Sequence, residues 1–190
     1  VYASWAECEA QVRGYAGAEF KAFPTRSMAE AAWKGRYAEY QGRNTAAQQW
    51  RVAPNPPETP ALCVDAACSG APGPVEYQGV RLPEAEAVFR RGPFPGGTNN
   101  IGEFLAIVHA LAWLHQRGLG WPVYSDSATA IAWVQAGKCR TEAQRRPENA
   151  PLFELVARAE RWLAKHGRPT PVRKWDTQAW GEIPADFGRK

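Results

Sequence analysis

Four prolines fall within the ten residues Arg51–Pro60, at positions 54, 56, 57 and 60. A proline lacks an N–H and clashes with the preceding helical turn, so neither a helix nor a central strand can run through this stretch. The chain of 190 residues must therefore fold in pieces on either side of it. Residues 1–43 read as a small N-terminal module, 44–60 as an extended linker and 61–190 as a domain of ordinary size. Hydrophobic residues make up 45% of the sequence, enough to build a core and to exclude a wholly disordered chain. No apolar run reaches the roughly 18 residues of a spanning helix, and no basic segment followed by an apolar one opens the chain. Neither membrane insertion nor a secretory leader is expected. The first residue is Val1 rather than methionine, which implies processing or trimming upstream.

Lysine and arginine number 23 against 19 aspartate and glutamate, a net charge of +4 that is too weak, spread over a surface, to name a partner. The four cysteines, Cys8, Cys63, Cys68 and Cys139, have no histidine at zinc-ligand spacing. Free thiols in a reducing, cytoplasmic compartment are the expectation.

In the N-terminal piece, Ser4 and Glu7 form a capping-box pattern over a helix bearing Ala6, Cys8, Ala10 and Val12. Residues 19–23 alternate like a short strand, and Ser27 starts a second helical stretch through Trp33 and Tyr37. In the larger piece, Ala61–Asp65 is an apolar run ending in a carboxylate, and Val75–Val80 and Ala85–Arg91 have period 2. Thr98-Asn99-Asn100 opens an apolar helix through Ile101, Leu105, Val108, Leu111 and Leu114. Trp121–Ser125 is another short strand before Asp126, helical patterns cover 127–136 and 149–166, and Pro171–Trp175 is a last strand. The order predicts an α/β domain: a five-stranded mixed sheet of three antiparallel strands plus two parallel ones, flanked by crossover helices.

The chemistry lies in where the acids fall. Asp65 and Asp126 each end a strand, and Glu103 sits in the first turn of the helix after Thr98. If the two strands are parallel neighbours, both aspartates arrive at one edge of the sheet. Glu182 and Asp186, four residues apart near the C-terminus, can supply a further acid. Gathered carboxylates repel unless cations neutralise them, and oxygen donors without histidine or cysteine favour Mg²⁺ or Mn²⁺ over zinc. Four carboxylates can hold two ions, one to activate water and one to stabilise the leaving oxygen of an in-line phosphoryl displacement, as in a nuclease or phosphotransferase. Each acid alone also reads as a cap, a turn former or a complement to a helix dipole. No Walker loop, dinucleotide-binding glycine pattern, HExxH helix or nucleophile elbow competes.

The stretches Gly97–His109 (GTNNIGEFLAIVH), Tyr124–Ser127 (YSDS) and Trp180–Lys190 (WGEIPADFGRK) resemble ribonuclease H of type 1, in the bacterial form that carries an N-terminal hybrid-binding, viroplasmin-like domain. The resemblance implies a ribonuclease H-like fold, two Mg²⁺ ligated by Asp65, Glu103, Asp126 and Asp186, and cleavage of the RNA strand of an RNA–DNA hybrid to 5′-phosphate and 3′-hydroxyl ends. Mn²⁺ is expected to substitute. Many members carry a histidine in a loop before the last aspartate. Here Glu182 occupies that segment, which implies an auxiliary metal or product-release role. Residues 1–41 resemble the hybrid-binding domain through Ser4–Cys8, Gln11-Val12 and Phe20–Phe23, implying that Trp5 and Phe20 contact the DNA strand and Lys21 a phosphate. The family's opening strand is absent before Val1 and a common second lysine is Ala22, so the module is expected to lack its first strand. A small packing appendage is the other reading.

A hybrid is recognised through 2′-hydroxyls and groove shape more than through bases. Asn99 and Asn100 are candidates for the hydroxyl contacts, Thr98, Asn100 and Thr141 for a DNA-phosphate pocket, and Thr177 and Arg189 for positions near the metals. Trp133 either stacks on a DNA sugar or fills the core. The expected protein is a monomer that partners an RNA–DNA hybrid and no membrane. A catalytically inactive hybrid-binding protein is the alternative. A DNA nuclease or transposase of related fold fits the three stretches poorly.

Overall fold

The structure is a computed structural model that describes residues 1–15, 20–23, 25–34 and 49–187. Among the described residues of the N-terminal piece lie two short helices, α1 (Trp5–Val12) and α2 (Arg26–Lys34). The expected cap is present. The Glu7 N–H donates to Ser4 Oγ at 3.3 Å, and Glu7 Oε2 accepts from the Ala3 N–H at 3.0 Å. No residue of α1 is buried. The strand expected over 19–23 does not form across its described residues, 20–23. A two-residue alternation of apolar side chains makes a strand only where a neighbouring strand offers ladder partners. Phe20 instead leans on Trp5, ring centroids 4.9 Å apart.

The rest of the described chain builds around strands β1 (Ala61–Cys68), β2 (Gly73–Leu82), β3 (Glu86–Gly97), β4 (Val123–Ser125) and β5 (Val172–Lys174). Among the described residues they form one sheet in the order β3-β2-β1-β4-β5. The β1–β2 and β2–β3 pairs are antiparallel, and β1–β4 and β4–β5 are parallel. This is the mixed sheet expected from the element order. Central β1 is covered on both faces, which is why Ala61–Asp65 reads as an unbroken run ending in an acid rather than an alternation.

Helices α3 (Asn99–Gln116), α4 (Ala128–Gln135) and α5 (Ala150–His166) cover one face. Leu62, Val64 and Ala66 of β1 point into that layer, against Phe104, Ile107 and Leu111 of α3. Apolar on nearly all sides, α3 is the buried helix at the centre of the larger piece. Its start is held by Thr98, whose Oγ1 accepts from the Ile101 N–H at 3.4 Å. None of the helices among the described residues is long and apolar enough to cross a membrane.

The other face is covered by irregular chain. A short helix, α6 (Thr177–Trp180), leads into a segment whose Ile183 and Ala185 bury against Cys63, Val80 and Leu82. Trp50, only 3% exposed, joins the same cluster. The proline-rich stretch has neither α-helix nor strand, and it is fastened along this face. The Glu58 N–H donates to the Tyr124 hydroxyl at 3.0 Å, Trp180 Nε1 donates to the Asn55 carbonyl at 2.7 Å, and Glu58 pairs with Arg173 at 2.7 Å. Its prolines exclude helix and ladder pairing, and its Glu58 N–H and Asn55 carbonyl are satisfied from this face instead.

A half-buried histidine lies apart from all the acids named above. His109 of α3 stacks on Phe89 at 3.9 Å and meets Tyr77 edge-on at 5.9 Å. Burial first, then the charges of Arg91 and Arg158, lower its pKa from 6.5 to about 4. The folded state thus refuses a proton that the unfolded chain takes up below pH 6.5, so the contribution is intact above that pH and is lost as pH falls toward 4. Acidification from pH 7 to 4.5 should cost about 1–2 kcal/mol through this residue, after discounting for the part of the ring that meets solvent. Urea melts should show that loss flattened in His109→Gln. An equal pH slope in the variant would assign the loss to other groups.

Candidate active site

The parallel register places Leu62 beside Val123, Cys63 beside Tyr124 and Val64 beside Ser125. Asp65 and Asp126 follow Val64 and Ser125 directly, so the two carboxylates leave adjacent strands at the same level. Asp126 directly follows the end of β4, as expected, but Asp65 does not end β1, which runs on to Cys68 because residues 65–68 keep their pairing with β2. Glu103 arrives from the second turn of α3, one turn beyond the expected place, because Thr98 caps the helix and Asn99 already begins it. Its neighbour Gly102 has no side chain where a Cβ would come within 2.6 Å of the Ala66 Cβ and 2.7 Å of Val75 Cγ2. That contact lets the helix sit directly on β1 and β2. The carboxylates of Asp65, Glu103 and Asp126 each offer an oxygen, and these lie within 4.8 Å of one another.

Asp65 is 8% exposed and Glu103 9%. Burial first, then the charge of Asp126, raises the Asp65 pKa from 3.8 to about 8. A bond from the Ala66 N–H opposes the shift, while Glu103 and Asp186 add to it. Burial likewise raises Glu103, against a hydrogen bond from Ser127 and the charge of Lys174. Glu103 Oε2 is buried with no hydrogen-bond partner. An acceptor-only oxygen withdrawn from water beside two further carboxylates suits a hard divalent cation, so the residues present fit Mg²⁺ or Mn²⁺. Cys63, on the same strand as Asp65, is kept protonated by burial and by the Asp126 charge, which leaves the donor set all oxygen. All four cysteines are free thiols.

Asp186 stands off from the close triad and reaches Asp65 as the smallest of its charge contributions. Its N–H donates to the Ile183 carbonyl at 2.9 Å, in the irregular segment after α6. Glu182 is half-buried at the start of that segment. Asn99 and Asn100 are exposed at the opening of α3. Thr98 lines a hollow of about 540 Å³ with Gly96, Glu142, Gln144, Arg146 and Asn149, and its lining includes neither Asn100 nor Thr141. The Thr141 hydroxyl instead accepts from the Ala143 N–H at 3.2 Å. Trp133 is half-buried, meets Phe104 edge-on at 6.4 Å and packs against the main core. Thr177 is exposed at the head of α6, and Arg189 lies outside the described residues. In the N-terminal piece Trp5 and Phe20 are 55% and 53% exposed, and Lys21 follows Phe20 in sequence.

Sequence reasoning missed Ser127 and Gly102. Ser127 caps α4, accepting from the Ala130 N–H at 3.1 Å, and its hydroxyl also engages Glu103. A serine directly after a strand-end aspartate and before a helical pattern is a cap signal, but its link to Glu103 is set by the tertiary fold. Gly102 is visible in the sequence only as one letter of the GTNNIGE stretch.

Residues 1–33 match the family model of the ribonuclease H1 N-terminal domain. Among solved structures, the chain is similar to LC11-RNase H1, isolated from compost by a metagenomic approach, at 18% identity over 62% of this chain and 84% of that one, with a TM-score of 0.43. It is similar to RNase H1 of the halophilic archaeon Halobacterium salinarum at 20% identity over 62% and 86% of the two chains, TM-score 0.42. A structure of LC11-RNase H1 in complex with RNA/DNA hybrid matches at 16% identity over 63% and 87%, TM-score 0.42.

Proposed function

We propose that this chain is a ribonuclease H of type 1, an endonuclease that hydrolyses the RNA strand of an RNA–DNA hybrid and leaves 5′-phosphate and 3′-hydroxyl ends. The observation that carries the reading is the triad of Asp65 within β1, Asp126 just past the end of the parallel neighbour β4 and Glu103 in the second turn of α3, with one carboxylate oxygen buried and unpartnered. The match of residues 1–33 and the stretches around Glu103, Asp126 and Asp186 point the same way.

Asp65 and Asp126 would hold two Mg²⁺ ions, with Glu103 on one and Asp186 on the other, and Mn²⁺ would substitute. When bound, the ions supply Lewis acidity and charge neutralisation to a phosphodiester undergoing in-line displacement. The protein's own residues supply the frame. Ser127 holds the Glu103 carboxylate in one orientation, and the burial of Asp65 and Glu103 lowers the local dielectric so that charge at the site acts strongly. Asn99 and Asn100 would meet 2′-hydroxyls from the exposed first turn of α3. Thr98, Asn100 and Thr141 would hold a DNA phosphate, Thr177 and Arg189 would stand near the metals, and Glu182 would have an auxiliary metal or product-release role. Trp5 and Phe20 would stack on the DNA strand with Lys21 on a phosphate. We assign residues 1–43 to the binding module, 44–60 to the connection and 61–190 to catalysis, in a cytoplasmic monomer whose free thiols suit that compartment.

Incubation of an end-labelled hybrid with Mg²⁺ or with EDTA tests the proposal. Metal-dependent cuts confined to the RNA strand are expected. Asp126→Asn should lower the cleavage rate by about 10³-fold or more while hybrid affinity changes by about twofold or less. Substantial residual cleavage by that variant, or cuts in the DNA strand, would sink the assignment.

A further inference from the structure

Asp186 reaches the site on irregular chain rather than on a strand or a long helix, and something must hold it against the repulsion of Asp65. The sheet register shows what does. Asp65 of β1 is opposite Gln78 of β2, and Gln78 is opposite Arg90 of β3. Directly opposed residues share a face of a sheet. This row lies on the face of Cys63, Val80 and Leu82, the one that the C-terminal segment covers. Gln78 Nε2 donates to the Ala185 carbonyl at 2.7 Å. The Arg90 guanidinium lies over the Phe187 ring, 5.1 Å from its centroid. Glu76, whose side chain is 11% exposed, anchors that guanidinium by accepting from Nε at 3.0 Å. The residues on either side of Asp186 are each gripped by a side chain from the row that begins with Asp65.

Resting on the nuclease reading above, we infer that Gln78 and Arg90 are positioning residues that seat Asp186 for the metal site. A carboxylate that must ligate an ion beside other carboxylates loses orientational freedom and meets like charge. A hydrogen bond to the preceding carbonyl and a stacked guanidinium over the following ring offset both costs without touching the carboxylate itself. Neither residue carries a charge into the triad, so their effect on the reaction runs through Asp186.

The test is a double-mutant cycle in the full chain with two readouts. Gln78→Met should lower kcat by about 10-fold or more with KM for the hybrid changed by about twofold or less, because a small misplacement of a metal-holding group costs rate before it costs binding. Calorimetric titration with Mn²⁺ and no substrate should show weaker binding by about fivefold. In the Asp186→Asn background, Gln78→Met should change neither quantity by more than about twofold, since coupled residues are non-additive. Arg90→Lys, which retains charge for Glu76 but loses the planar face over Phe187, should show a smaller loss with the same coupling, and melts in EDTA check that both variants fold. Equal losses in both backgrounds, or Mn²⁺ affinity and kcat left as in the wild type, overturn the inference while the nuclease reading stands. A wild type that fails to cleave but loses Mn²⁺ affinity on Gln78→Met overturns the reading and leaves the seat. A wild type that neither binds Mn²⁺ nor cleaves overturns both.

Discussion

Replacing Asp65 by asparagine is expected to raise the melting temperature of the metal-free protein at pH 7 by roughly 5–10 °C, while reducing RNA-strand cleavage by about 10³-fold or more. Both effects have one cause. Folding buries Asp65 beside Asp126 and lifts its pKa to about 8 from an ordinary 3.8. Between those values the folded state retains a proton that the unfolded chain has released. The stabilising share of this group is therefore whole below pH 3.8, declines as pH rises, and is gone above 8. At pH 7 the penalty is about 2–4 kcal/mol, and asparagine does not incur it. Mg²⁺ should raise the melting temperature of the wild type and have little effect on the variant, because an ion that binds only the folded state stabilises it by mass action. Scanning calorimetry with EDTA and with Mg²⁺, at pH 4.5 and pH 7, reads all of this. A variant no more stable than wild type in EDTA at pH 7 would remove the electrostatic argument. A wild type whose melting ignores Mg²⁺ would remove the metal from the triad.

Gly102→Ala is expected to destabilise the protein by about 1–3 kcal/mol and to slow cleavage by about 10²-fold. The sign is opposite to the rule for helix interiors, where glycine to alanine gains up to about 1 kcal/mol. The reason is local. The added methyl would stand 2.6 Å from the Ala66 Cβ and 2.7 Å from Val75 Cγ2, atoms tied closely to the backbones of β1 and β2. Neither can swing away, so α3 itself must move, and the next residue along it is Glu103. Circular-dichroism melts give the stability and the hybrid assay gives the rate. A stabilised variant with full activity would show that the helix has room to lift from the sheet.

Several elements are legible in the residues alone. The strands around Asp65 and Asp126, the Thr98 cap and the period of α3 are local signals, carried by apolar spacing and cap chemistry within about ten residues. The α/β class and mixed sheet follow from the order of those elements, and the N-terminal part of the resemblance is matched by the family model over residues 1–33. Less local features are not legible in this way. The alternation at 19–23 suggests a strand, yet residues 20–23 form none, because alternation describes a half-buried surface and not the partner that would complete it. The prolines of 51–60 forecast chain without α-helix or strand but say nothing of Trp50 and Asn55 fastening it to the second face of the sheet.

The sequence by itself determined which residues could do chemistry here: acids directly after short apolar runs, no histidine or cysteine among them at ligand spacing, and a capped apolar helix delivering one more. It determined this because residue type, local period and capping are properties of short stretches. The tertiary structure alone decided that β1 and β4 are parallel neighbours in the register that levels Asp65 with Asp126, and that Gly102 lets Glu103 come close. It alone decided that Asp186 hangs between Gln78 and Arg90 outside the tight triad. Those facts depend on contacts between residues tens of positions apart, and pairing across such distances is settled only when the whole apolar surface is buried at once.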